Sequence, residues 1–172
     1  MNAALRLSWY KFKHHYMDFV KVLLGIVAFE GLILYIQDKG FLKDFETTRM
    51  TLFLLLFSTS LLIVVQNSIY ISKERSVLNR DFFSGLSRSA FALASMGIHA
   101  FFAVLETIVF ILSYSVFSKF FDKEFPDAGH IFGSYRWEVG ITVLLVFLAS
   151  HFIALFISAL VGKSEITSVI LA

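Results

Sequence analysis

Residues 51–71 read TLFLLLFSTSLLIVVQNSIYI, a stretch without a single charged side chain. At about 1.5 Å of rise per residue, a helix of that length covers about 30 Å, the thickness of a bilayer's hydrocarbon core. Gln66 and Asn67 are its only strongly polar side chains. A run this long and apolar reads as a transmembrane helix, and the remainder of the chain is read outward from it.

Three more stretches are long and apolar enough to cross: residues 20–36, 91–115 and 141–161. The first is short and carries Glu30, but Val22-Leu23-Leu24 and Leu32-Ile33-Leu34 flank that charge with apolar turns. It spans if Glu30 finds a partner. The stretch 91–115 exceeds what a bilayer needs, so it must tilt or project, with Ser89 as the expected N-cap. Composition agrees: 58% of the 172 residues are hydrophobic and 16% charged, against about 45–50% and about 25% in soluble domains. The expected fold is therefore an all-α integral membrane protein with about four transmembrane helices in a single domain, residues 1–172.

The formal net charge of +2 is too small to argue for nucleic acid, and the basic residues sit beside apolar runs where lipid headgroups meet them. Membrane lipids are the expected partners and nucleic acid is not. Without cysteine there is no disulfide framework, thiolate metal site or thiol nucleophile. Trp9, Lys11, Lys13, His14 and His15 occupy the place where a cleavable signal needs its apolar core, so no removed signal peptide is expected.

Orientation follows from lysine and arginine in the short flanks. Arg6, Lys11, Lys13 and Lys21 precede the first span, and Lys73, Arg75, Arg80 and Arg88 lie between the second and third. Both segments are expected to face the cytoplasm, in the plasma (inner) membrane. Residues 37–50 balance Lys39, Lys43 and Arg49 with Asp38, Asp44 and Glu46, and residues 117–140 are slightly acidic, so both should face outward. Within residues 4–19, Leu5, Trp9, Phe12, Tyr16 and Phe19 recur at three- and four-residue steps, as in an amphipathic helix lying at the interface. Such a helix either anchors the chain to anionic headgroups or grips a partner, and the two roles are compatible.

The segment 72–86, SKERSVLNRDFFSGL, reads as a short amphipathic helix with a stop. Val77, Leu78 and Phe82 fall within one helical turn of one another, charges take the other face, and Gly85 suits the left-handed position that ends a helix. On physics alone the first reading is an ordinary positive-inside loop. The run Lys73-Glu74-Arg75, followed by Leu78, Arg80-Asp81 and Gly85-Leu86, resembles the first intracellular loop of ABC type-2 permeases, notably the G-subfamily-like exporters. The order of connecting helix, two spans, loop helix and two more spans extends the resemblance over nearly the whole chain, as does the closing Phe156-Ile157-Ser158-Ala159-Leu160-Val161.

That resemblance implies a permease component of an ATP-driven exporter, with residues 72–86 as the coupling helix that docks on an ABC ATPase subunit or domain. It implies a second permease copy or homologue as dimer partner, and amphiphilic cargo such as drugs, lipids or peptides. ATP and Mg belong to the ATPase, and no cofactor is expected on this chain. The family has six spans, whereas this sequence reaches Val169-Ile170-Leu171-Ala172 where a fifth would be starting. Gly162-Lys163-Ser164 mimics the end of a phosphate loop, but position 157 is Ile where that loop needs Gly, and a membrane helix precedes it instead of a strand.

Glu30, His99, Glu106 and His151 are ionisable residues inside spans, where a charge at a helix centre costs about 2.5–3.5 kcal/mol. With Gln66 and Asn67 they read either as hydrogen-bonding glue between helices or as the lining of a substrate path. His99 and Glu106 share a face but stand about 10 Å apart along it, too far to grip one metal ion. His14 and His15 diverge around their helix and make a poor chelate. Ser150, Ala154, Ser158 and Gly162 form a small-residue stripe for close helix packing, and Trp9, Tyr135 and Trp137 mark headgroup levels. Two rival functions stay open: a non-transporting membrane scaffold, and an intramembrane enzyme or proton-linked carrier using Glu30, His99, Glu106 and His151. The latter has neither a metalloprotease histidine pair nor a Gly-x-Ser-x-Gly turn behind it.

Overall fold

The computed structural model describes residues 2–37, 45–122, 131 and 133–161, without the side chains of 2–15, 45, 46, 70 and 72–76. The described residues form five helices and no strand: α1 (Asn2–Ile36), α2 (Phe45–Ser68), α3 (Tyr70–Phe83), α4 (Arg88–Phe120) and α5 (Tyr135–Leu160). Four of them contain stretches long and apolar enough to cross a membrane, Tyr16–Ile36, Thr47–Ser68, Arg88–Phe120 and Tyr135–Leu160. The chain is thus an all-α, multi-pass integral membrane protein, as composition predicts.

The boundaries differ from the sequence reading in physically instructive ways. The segment 4–19 and the span after it are one uninterrupted helix, because backbone hydrogen bonding continues regardless of whether the side chains are apolar or charged. The amphipathic face around Leu5, Trp9 and Phe12 lies outside the described side chains. Helix α4 begins earlier than expected: Ser87, not Ser89, is its N-cap, accepting from the Ala90 amide at 3.1 Å, while Ser89 sits in the first turn with its hydroxyl 3.0 Å from that of Ser87. Ser87 wins because its side chain lies one turn below a free amide, which is what a cap needs. At 33 residues α4 is about 50 Å long, more than the hydrocarbon thickness.

Side-chain pairings set the directions. Phe19 meets Phe102, Glu30 meets Ser113 and Tyr35 meets Phe121, so α1 and α4 run parallel. His151 meets His99 and Phe147 meets Phe110, so α5 runs antiparallel to α4. Helix α2 packs on α1 and α5. The core lies where the four long helices converge, around Ile26, Leu55, Ile63, Phe110, Val143 and Phe147, all at most 2% exposed. Outward faces are apolar as well: Leu24, Phe57, Leu112, Leu145 and Phe156 stand exposed. A helix hydrophobic all round belongs in lipid.

Gly31 lets α1 approach α4 closely, since a Cβ there would stand 3.1 Å from the Phe117 ring. The buried small residues Ser150, Ala154 and Ser158 of α5 belong to the stripe read from the sequence; Gly162 lies outside the described residues.

Candidate functional site

Two features concentrate polar chemistry: the helix between spans two and three, and a buried cluster between α4 and α5. Helix α3 follows α2 after one residue, Ile69, whose own dihedrals are helical (φ −89°, ψ −5°). The joint is therefore tighter than the expected change at position 72. No side chain of its own caps α3. The hydroxyl of Ser158, at the far end of α5, instead accepts from the Ile71 amide at 2.8 Å. A first-turn amide that would otherwise lack a partner is satisfied from another element, which fastens α3 to α5.

The other end of α3 closes as a Schellman motif. Leu86 N–H donates to Asp81 C=O at 3.0 Å and Gly85 N–H to Phe82 C=O at 3.2 Å, with Gly85 at φ +104°. That backbone conformation is one a side chain strains, so glycine is required there. Between the ends, Leu78 is buried, Asp81 half-buried and Arg80 exposed. The backbones of Lys73, Glu74 and Arg75 lie within α3, on its first turns, while their side chains are outside the described set. Arg88, at the start of α4, stacks over the Phe82 ring at 5.7 Å.

The buried cluster joins residues that sequence spacing keeps apart. His151 Nε2 lies 2.8 Å from Glu106 Oε2, and its Nδ1 lies 3.0 Å from His99 Nδ1. One imidazole of α5 thus bridges two side chains of α4 that are seven positions apart, and all three are at most 1% exposed. Of two facing ring nitrogens one must donate and the other accept, so His99 and His151 carry opposite roles at Nδ1. With both nitrogens of His151 engaged, the arrangement is a hydrogen-bonded chain, and no three His, Asp or Glu side chains are placed to hold one metal ion among the described residues. Glu106 Oε1 is buried without a partner.

Glu30 stands apart from that chain. Its Oε2 accepts from the Ser113 hydroxyl, linking α1 to α4, and its Oε1 has no partner. This is the partner that the first span needs in order to cross. Gln66 and Asn67 join neither group: Gln66 is half-buried, and Asn67 Nδ2 donates to the Ile63 carbonyl of its own helix at 2.9 Å. Four of the six intramembrane polar residues therefore hold helices together, in two separate places. Ser113 and Ser158 are the participants that sequence reasoning missed. Ser158 was visible as a small residue on a packing stripe, but its donor is a backbone amide, which leaves no trace in the sequence.

Comparison with curated proteins and with solved structures gives no match. The profile of the ABC-2 type transporter family matches residues 6–172, and that span takes in all four membrane helices, the joint at Ile69 and the Schellman stop at Gly85. The chain therefore belongs to the ABC-2 type transporter family, as a membrane-spanning permease domain of an ABC transporter.

Proposed function

We propose that this permease exports its cargo and is driven through α3, which docks on an ABC ATPase subunit or domain with Lys73, Glu74, Arg75, Arg80 and Asp81 as its contact face. The observation that carries this reading is the fixing of α3 at three points: the Ile69 joint to α2, the Ser158 bond to α5, and the buried Leu78. A helix so fastened passes a push on its charged face to two spans at once. A second copy or a homologue completes the pathway, with ATP and Mg held by the ATPase. Residues 72–86 and the start of α1 face the cytoplasm of the plasma (inner) membrane.

The test is the double substitution Glu74→Ala with Arg75→Ala in the reconstituted transporter. ATP hydrolysis persists while transport falls at least tenfold; transport-coupled turnover at the wild-type level removes α3 from the role assigned to it. The cluster of His99, Glu106 and His151 serves here as glue between α4 and α5, an interpretation supported by its enclosure within their interface.

A further inference from the structure

A cavity of about 640 Å³ lies beside α3, walled by that helix and by the adjoining ends of α4 and α5. It falls in the range of about 300–1,000 Å³ that takes one ligand of drug size. Its walls are graded along α4. Arg88 stands at the water end, joined by Asn79 of α3; Phe91 comes a turn deeper, and Met96 about 12 Å in from Arg88. The α5 wall runs the opposite way, from Ala159 beside the polar end to Phe152 at depth. Among the described side chains of the lining, Arg88 is the one that is charged and none is acidic.

Two observations indicate what enters. Ala92, Met96 and Phe156 line the cavity and are exposed apolar residues of membrane-spanning helices, so the cavity is open on their side. Ser95 also lines it, with its hydroxyl buried and without a partner. Elsewhere in the spans Thr59, Thr107 and Ser150 return their hydroxyls to carbonyls of the preceding turn. Ser95, like Ser60, makes no such bond. A site with a cationic mouth at the membrane surface, an apolar floor and an opening among exposed apolar residues has the polarity profile of an anionic phospholipid lying chain-inward.

We propose that this cavity is a binding site for one acyl chain of an anionic phospholipid, whose phosphate meets Arg88 and Asn79 and whose chain lies against Phe91, Met96 and Phe152. Leu78 and Phe82 of α3 form one wall, so the bound lipid braces the loop helix from the membrane side. The site lies within one subunit, and none of Glu30, His99, Glu106 and His151 is among its lining residues. It stands whether or not α3 meets an ATPase.

The test uses the transporter in nanodiscs of phosphatidylcholine, doped with trace phosphatidylglycerol or phosphatidylcholine carrying the same photoactivatable acyl chain. Cross-linked peptides are then mapped. The phosphatidylglycerol probe labels residues 91–96 and 152–159 at least fivefold more than the phosphatidylcholine probe, and excess unlabelled phosphatidylglycerol competes it away. Arg88→Gln makes the two probes equal. Ala159→Phe fills the cavity from its exposed rim and abolishes the labelling with the thermal midpoint unchanged; Ala92→Phe does the same should the first variant fold poorly. Equal labelling by both probes, labelling no stronger than on the outer face of α2, or labelling that survives both rim substitutions each overturns the assignment. So does a cavity that neither probe enters, the result expected if a protein segment fills it.

Discussion

His151 offers both ring nitrogens to α4, one to Glu106 and one to His99, and no other side chain ties those helices twice among the hydrogen bonds described. Replacing it by Phe leaves a buried carboxyl and a buried imidazole facing hydrocarbon, at a cost of about 3 kcal/mol. Glu106→Gln keeps an oxygen and a donor in place and costs about 1 kcal/mol, the size of one interhelical hydrogen bond in a membrane. Thermal unfolding in mild detergent should rank them in that order, with His151→Phe showing the lower midpoint; equal midpoints would remove the bridging role. The sequence carried half of this. His99 and Glu106 sit seven apart on one helix face and so can share a partner, but which residue of α5 comes level with them depends on helix register, and register is set by packing such as Phe110 against Phe147. Ser113 was hidden similarly, since a serine in a span reads as neutral until Glu30 is placed opposite it.

Helix α3 shows what a loop's chemistry can and cannot announce. Gly85 was legible because an amphipathic run that ends in glycine signals a left-handed stop, and the site carries φ +104° with nothing within 4 Å of where a Cβ would stand. Gly85→Ala thus costs backbone strain alone, about 1–2 kcal/mol, with no clash to relieve by repacking; amide exchange near Ser84 to Leu86 should quicken about tenfold while distant helices stay protected. The opposite end was not legible, because Ile69 is apolar like its neighbours and the cap comes from a different helix. Ser158→Ala removes that cap, worth about 1 kcal/mol, and the Ile71 amide should exchange about fivefold faster. The continuity of α1 escaped notice for a related reason: Lys11, Lys13 and Lys21 end a hydrophobic run without ending a helix.

For the molecule as a whole, the parallel course of α1 and α4 brings the N-terminal part of α1, α3 and the start of α4 to one end, with the last turns of α1 and α4 and the starts of α2 and α5 at the other. Impermeant amine labelling of intact cells should then spare Lys73 and reach it only after permeabilisation; labelling from outside inverts the proposed topology. The number of spans and their polarity pattern were legible because hydropathy reports on the solvent each segment prefers. Which span touches which was not, because lipid and a neighbouring helix look alike to an apolar side chain. The Ile69 joint has one more consequence. In an unbroken helix the Ile71 amide would bond to the Asn67 carbonyl, whereas here it bonds to Ser158. The hydroxyl of Ser158 thus stands in for a backbone carbonyl at the joint, so the step from α2 to α3 is completed by a side chain of α5.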